Sequence, residues 1–286
     1  MTISRIAVVG AGAMGSGIAQ VFAQAGFAVR LYDPAPGAMD RARAAMARSL
    51  GKFVEKGVLS AGEMDAVQSR VHAAASLSAL ADAEFVVEAA SEQLDVKQHI
   101  FRELDATVAE SSILASNTSS IPIGTLAAAT RRPERVLGMH FMNPVPLMPL
   151  VEVIRGKATA DASMRVALDL CARLGKTAVE SADSPGFIAN RVLMPMINEA
   201  IHAVMEGVGP PEAIDTVMKL GMNHPMGPLA LADFIGLDVC LAILNVMHEG
   251  FCNAKYRPCP LLVDMVGAGR LGRKSGRGFY DYSIRA

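Results

Sequence analysis

The sequence predicts an α/β domain with a mostly parallel sheet over residues 1–185, followed by an all-α domain over residues 186–286. Three observations predict it. Short aliphatic runs alternate with helical stretches through the first part, the pattern of a layered parallel sheet. A Gly-x-Gly-x-x-Gly run follows the first of those strands and opens a helix. The character then changes near Asp183-Ser-Pro-Gly186, beyond which no clear strand occurs until the tail.

Each element has its reason. Residues 3–9 form a short buried strand, and Ser16 to Ala25 a small-residue helix stopped by Gly26. Residues 28–32 make a second strand ending at Asp33-Pro34. From Ala38 to Val58 an Ala-rich stretch carries Arg and Lys at helical spacing. Residues 85–89 are a third strand, and 95–110 a helix with Asp95 as its N-cap. Strands at 113–116 and 136–140 flank a short helix near 123–129. In the second part, residues 187–206 read as one apolar helix that Pro195 should kink. Helices at 211–220, 229–234, 237–249 and 261–268 follow, each bounded by Gly or Pro.

Composition excludes several classes. Of 286 residues, 51% are hydrophobic and 19% charged, which is globular rather than disordered. The balance of 27 basic and 28 acidic residues gives a net charge of −1, so no global attraction to nucleic acid or to an anionic membrane is expected. Mean hydropathy is +0.31, yet charges or Gly/Pro break every apolar run well short of the ~18 residues of a span. The surplus points instead to a large core and a buried subunit interface. The first strand leads into glycines rather than a cleavage site, so it is not read as a signal peptide. Cys171, Cys240, Cys252 and Cys259 form no C-x-x-C, and the six histidines no metal-binding spacing. Reduced thiols in a cytoplasmic protein without a metal are expected.

Gly10-x-Gly12-x-x-Gly15 lies between a strand and a helix, and the second strand ends at Asp33, 18 residues after Gly15. A Rossmann-type unit of this kind aims backbone N–H groups and a helix N-terminus at a pyrophosphate. Gly10 allows the tight turn, Gly12 the approach of the phosphates, and Gly15 the close packing of helix on strand. An acid at the end of the second strand accepts hydrogen bonds from ribose hydroxyls and repels a 2′-phosphate. With no Arg just beyond Asp33, the expected cofactor is NAD rather than NADP.

Polar residues also stand in apolar surroundings: 116–120 (Ser-Asn-Thr-Ser-Ser), His140 at a strand end, and Glu152 inside Leu150-Val-Glu-Val-Ile154. Strand ends are where open α/β sheets bind ligands. Glu152 either lies on the exposed face of an edge strand or pairs with something; spacing alone leaves both open.

At this point the sequence resembles the L-3-hydroxyacyl-CoA dehydrogenases, in particular the bacterial 3-hydroxybutyryl-CoA branch, over nearly the whole chain. The resemblance rests on Gly-Ala-Gly-Ala-Met-Gly-Ser-Gly-Ile-Ala at 10–19, Ser-Asn-Thr-Ser-Ser at 116–120 and Met-His-Phe-Met-Asn-Pro at 139–144. It continues in Asp-Ser-Pro-Gly-Phe-Ile-Ala-Asn-Arg at 183–191 and Gly-Arg-Lys-Ser-Gly-Arg-Gly-Phe-Tyr at 272–280. One departure is Met142, where the family commonly has Phe; it should change packing beside the nicotinamide rather than the chemistry.

The resemblance implies an NAD-dependent oxidoreductase acting on short acyl-CoA substrates, with His140 as general base and Glu152 as its partner. It implies that Ser119 and Asn190 hydrogen-bond the substrate oxygens. It implies cofactor contacts at Gly10, Gly12, Met14, Gly15, Asp33, Glu92, Lys97, Asn117, Asn143 and Lys274. On the residues alone, Glu92 and Lys97 read as a solvated helix start, and Lys274 as a surface lysine. The resemblance further suggests Lys52 and Lys56 for the phosphates of coenzyme A. They lie four apart, on one helix face, which by itself is an ordinary solvated face. Two alternatives stand beside it: a related dehydrogenase of a free hydroxy or sugar acid, and a catalytically idle NAD-binding protein on the same fold.

Assembly is the last expectation. Met194, Met196, Ile197, Ile201, Val204 and Met205 form a broad apolar stripe. It either packs within the helical domain or, as the resemblance implies, helps form a homodimer through that domain.

Overall fold

Strand β1 (Arg5–Val9) is the hinge of the topology, because it pairs in parallel with β2 (Ala28–Tyr32) on one side and β4 (Phe85–Glu88) on the other. The computed structural model describes residues 3–283. Beyond β2 lies β3 (Val71–Ala73); beyond β4 come β5 (Ile113–Ser116), β6 (Val136–Phe141), β7 (Leu150–Arg155) and β8 (Thr177–Ala182). The order is β3-β2-β1-β4-β5-β6-β7-β8, parallel throughout except for the antiparallel β6–β7 pair. Strand order reverses at β1, so a crevice opens at the carboxyl ends of β1 and β4. Helices α1 (Ala13–Gln24), α2 (Ala38–Glu55), α3 (Ala61–Ser69), α4 (Leu94–Thr107), α5 (Ile123–Ala127) and α6 (Asp161–Arg173) complete the first unit, Met1–Ser184.

The central strands are apolar on both faces; β4, β5 and β6 are buried end to end. Helices cover such strands on both sides, which is why they read as continuous runs rather than alternation. Phe22 of α1 meets Phe27 and Phe141 edge-on at 5.5 and 6.5 Å, fastening α1 to β6. Full burial of each such ring contributes about 1.5–3 kcal/mol. A buried ion pair locks α4 to the segment before β6: Arg132 Nε donates to Asp105 Oδ1 at 2.7 Å, and Arg131 Nε to Oδ2 at 2.9 Å.

Several expected boundaries shift for local reasons. α1 begins at Ala13, not Ser16, because the Gly12 carbonyl already accepts from the Ser16 N–H at 2.9 Å. Asp95 lies in the first turn of α4 rather than capping it; Gln93 is the N-cap residue and makes no side-chain cap bond. α2 ends at Glu55, because Gly57 takes φ +67°. Four elements went unread. α3 is announced only by its capping box, in which Ser60 Oγ accepts from Glu63 N and Glu63 Oε2 from Ser60 N. β3 and β8 are edge strands, short or mostly exposed, and α6 lies between β7 and β8.

The second unit, Pro185–Ala286, is helical: α7 (Ala189–Met205), α8 (Pro211–Gly221), α9 (Pro228–Ile235), α10 (Leu237–Phe251) and α11 (Pro260–Gly267). α7 starts after Phe187, whose φ of +50° cannot join a helix, and it continues through Pro195. Its apolar stripe divides. Met194, Ile197 and Ile201 enter the unit's core with Leu229, Leu237, Leu244 and Met247, whereas Met205 is exposed. The last residues are clasped onto α9. Buried Asp233 accepts from the Phe279 and Tyr280 N–H groups, and buried Asp215 from Leu229 N, Ala230 N and the Tyr280 hydroxyl. Among the described residues no single helix is long and apolar enough to cross a membrane.

Candidate active site

The glycine turn is built as its sequence requires. Gly10 has φ +99°, and a Cβ there would lie 2.5 Å from the Ala89 carbonyl oxygen at the end of β4. A Cβ on Gly15 would strike the Gly10 carbonyl oxygen at 1.8 Å, so α1 sits directly on the turn. At Gly12, by contrast, a Cβ would meet nothing within 4 Å. That open side is the cradle a pyrophosphate needs, at a helix N-terminus with no side-chain cap. Asp33 closes the far side: its Oδ2 accepts from Ala11 N at 2.7 Å and its Oδ1 from Ala35 N at 2.9 Å. The residues present therefore fit a dinucleotide. Met14 follows in the first turn of α1.

Parallel strands bring their carboxyl ends to one edge, so the segments after β1, β4, β5 and β6 meet there. Glu92 follows β4, and its Oε1 collects the Thr118 hydroxyl (2.6 Å), the Ser119 N–H (2.8 Å), and the Ser120 N–H and hydroxyl (both 3.1 Å). Partial burial pushes its carboxyl up. The Lys97 ammonium and these donors outweigh that, holding it below the usual carboxylate range. Asn117 ties the same loop to β6, its Oδ1 accepting from Phe141 N at 2.9 Å. Asn143 lies exposed just past β6.

His140 and Glu152 are cross-strand partners in the antiparallel β6–β7 pair. The His140 Nδ1 lies 2.8 Å from Glu152 Oε2, with both residues buried. A carboxylate accepts only, so Nδ1 carries the ring proton and Nε2 is the basic nitrogen. Because β8 covers the outer edge of β7, Glu152 is not on an exposed edge strand. Of the two readings of Glu152 left open by its spacing, the paired one holds.

Lys97 also departs from the solvated helix start. It is 1% exposed, its Nζ 2.7 and 2.9 Å from the two carboxylate oxygens of Glu88 and 3.4 Å from Glu92 Oε2. Glu88, fully buried at the end of β4, also accepts from Ser116 Oγ and Ala90 N. Sequence reading passed over Glu88; an acid ending an otherwise apolar strand was the available signal.

Lys52 and Lys56 are exposed at the end of α2 and line a cavity of about 360 Å³. Arg48, Ser49, Phe53, Pro144, Pro146 and Leu147 share it. Arg48 is a third cation at the same spacing and also went unread. In the second unit, Asn190 is buried in the first turn of α7, and Lys274 Nζ donates to Asp238 Oδ2 at 2.6 Å.

Glycine cradle, strand-end acid and the order of the parallel strands define an NAD-dependent oxidoreductase on a Rossmann-type domain followed by a helical one. The chain belongs to the 3-hydroxyacyl-CoA dehydrogenase family. Residues 5–184 match that family's NAD binding domain and residues 186–282 its C-terminal domain. A relative from Bacillus subtilis, a probable 3-hydroxybutyryl-CoA dehydrogenase, is 56% identical over 99% of this chain and 98% of its own. A 3-hydroxybutyryl-CoA dehydrogenase from Bradyrhizobium diazoefficiens is 55% identical over 98% and 96% of the two chains. The crystal structure of an (S)-3-hydroxybutyryl-CoA dehydrogenase from Ralstonia eutropha superposes with a TM-score of 0.96, at 47% identity over 99% of this chain and 100% of the other.

Proposed function

We propose that the protein interconverts (S)-3-hydroxybutyryl-CoA and its 3-keto counterpart, with His140 as general base and Glu152 as its partner. The buried His140–Glu152 bond carries this reading. NAD, when bound, supplies the hydride acceptor. Gly10, Gly12, Met14, Gly15 and Asp33 hold it, with Glu92, Asn117, Asn143 and Lys274 as further contacts. His140 Nε2 takes the proton from the 3-hydroxyl as the carbonyl forms, and the Glu152 carboxylate stabilises the resulting imidazolium. Ser119 and Asn190 offer uncharged donors to the 3-oxygen and the thioester carbonyl.

Short-chain preference draws on the names of the relatives above. The coenzyme A reading draws on the cavity beside Lys52 and Lys56. Those lysines sit at the far end of a long substrate, so their loss weakens ground and transition states alike. The test is Lys52→Ala/Lys56→Ala, assayed with 3-ketoacyl-CoA and with a pantetheine thioester lacking the nucleotide phosphates. The expected result is a higher KM with full coenzyme A only, shrinking at high salt. Equal loss with both substrates would mean that the changes merely damage the helix, and no loss with either would return the lysines to a solvated face.

We further propose a cytoplasmic homodimer formed through the helical unit. Val192, Val208, Val217, Leu220 and Met222 are 60–81% exposed there, and a shared interface would cover them. Its thiols are unpaired, as in a reducing compartment. A monomer mass by light scattering at micromolar concentration would remove the dimer.

A further inference from the structure

The ammonium of Lys176 is given over to main chain. Lys176 lies in the turn from α6 to β8, and its Nζ donates to the Met148 carbonyl at 2.7 Å and to the Val145 carbonyl at 2.8 Å. Among the described residues no carboxylate pairs with it. Both carbonyls belong to the segment 144–149, which carries the chain from β6 to β7. There the Leu147 and Met148 N–H groups bond back to the Pro144 carbonyl, each at 3.0 Å. A single turn of this kind ends in carbonyls with no partner of their own, and a lysine at that end satisfies them. The other flank of the turn rests on α1, where a Cβ on Gly17 would lie 2.9 Å from the Val145 Cβ. Pro144, Pro146 and Leu147 line the cavity shared by Lys52 and Lys56. Pro146 and Leu147 also line a neighbouring cavity bordered by Lys176, so the turn partitions the two.

We propose that Lys176 is a positioning residue: it holds the β6–β7 turn by two carbonyls and so fixes the wall of Pro144, Pro146 and Leu147 against which the acyl-CoA substrate packs. Packing alone does not hold this turn, since Leu147 is 63% exposed and Met148 37%. Nor do its own donors, because Pro144, Pro146 and Pro149 have no N–H to give. Its carbonyls are what remain, and one cation reaches two of them. Without that cation the turn stays tethered at both ends but is free at its tip. A wall serves the ground state and the transition state alike, so its loosening raises KM and leaves kcat. His140 and Glu152 are held separately, by the register of β6 and β7. The part of this inference that concerns substrate rests on the coenzyme A reading of the cavity; the part that concerns the order of the turn does not.

The test separates the two. Lys176→Met keeps an unbranched stem and removes the donors. Lys176→Gln, still polar at a half-buried position, covers the case in which Lys176→Met fails to fold, and Lys176→Arg keeps a cation there. Arg173→Met removes a different bond from the same corner, that of its guanidinium to the Ile3 carbonyl, and so controls for general loosening. Three quantities are read: hydrogen exchange of the Leu147 and Met148 amides, and kcat and KM with a 3-ketoacyl-CoA. Lys176→Met and Lys176→Gln should speed exchange at both amides and raise KM by about threefold or more, with kcat within about twofold of wild type. Lys176→Arg should restore most of both, and Arg173→Met should change neither. Unchanged exchange in both Lys176→Met and Lys176→Gln would overturn the proposal. So would an equal rise in KM in Arg173→Met, because loosening of the corner would then account for it. Faster exchange with a wild-type KM would overturn the substrate part alone, and Lys52→Ala/Lys56→Ala then shows which reading has failed. If that pair raises KM, the cavity takes coenzyme A without help from the turn; if it does not, the coenzyme A reading of the cavity falls.

Discussion

His140 and Glu152 stand directly opposite each other across the one antiparallel pair in the sheet, Nδ1 to Oε2 at 2.8 Å. Twelve residues of chain separate them, and the turn back from β6 into β7 removes that distance. The bond fixes the imidazole's tautomer and orientation before any substrate arrives. In a parallel continuation of the sheet, the strand after β6 would have returned through a crossover, and no acid twelve residues on could have reached the ring.

That pairing makes a kinetic prediction. His140→Gln should lose about 10²–10⁴-fold in kcat, the usual worth of a general base. Glu152→Gln should be impaired less, because the imidazole stays while its charged form loses support. Both should still bind NADH, measured by fluorescence titration. A fully active His140→Gln enzyme would remove the mechanism.

Asp33 makes a prediction about cofactor choice. Its carboxylate is held at the glycine turn by Ala11 N and Ala35 N, so it cannot swing away from a 2′-phosphate. Like charges forced together cost several kcal/mol, so kcat/KM should favour NADH over NADPH by at least about tenfold. Comparable use of NADPH would contradict this.

The Asp105 pair predicts an acid limb in stability. Burial pushes this carboxyl up, but the hydrogen bonds from Arg131 and Arg132 prevail and hold it below its ordinary value. A carboxyl whose folded pKa is depressed stabilises the fold fully above its unfolded pKa of about 3.9, and the contribution fades as pH falls through the lower folded value. Asp105→Asn should therefore cost about 1–3 kcal/mol at neutral pH. Its Tm deficit should shrink as the pH is lowered below the carboxylate range. A deficit independent of pH would assign the loss to packing rather than charge.

The cysteines predict a count. Burial drives the thiols of Cys171 and Cys240 up to about 12 and raises that of Cys259, all three buried; Cys252 is exposed. A thiol reagent at mildly alkaline pH should modify one cysteine in the native protein and four once it is unfolded. Rapid reaction of a second native thiol would show that one of the buried sites opens.

Much of this was legible locally. Gly10, Gly12, Gly15 and Asp33 announce the dinucleotide unit because the steric demands of that turn are met within a few dozen residues. The central strands and the change of character near Asp183 are likewise written in runs of side-chain type. β3 and β8 were not, since half-polar or very short edge strands carry little signal; in α6 the helical spacing of Met164, Ala167, Leu170 and Cys171 was there but went unread. Asp95 and Phe187 misled at helix ends because a boundary depends on backbone geometry that a residue type only biases.

The sequence by itself determined the glycine cradle, the acid beside it and the alternation of strands and helices, because each is a short-range consequence of side-chain shape and polarity. Only the tertiary structure decided that Glu152 faces His140 rather than solvent, since that depends on β6 and β7 pairing antiparallel with β8 outside them. Only it decided that Lys97 is buried, with its ammonium against the Glu88 carboxylate at the end of β4. Strand register creates the first pair, and the packing of α4 on the end of β4 the second; no pattern of residue types encodes either.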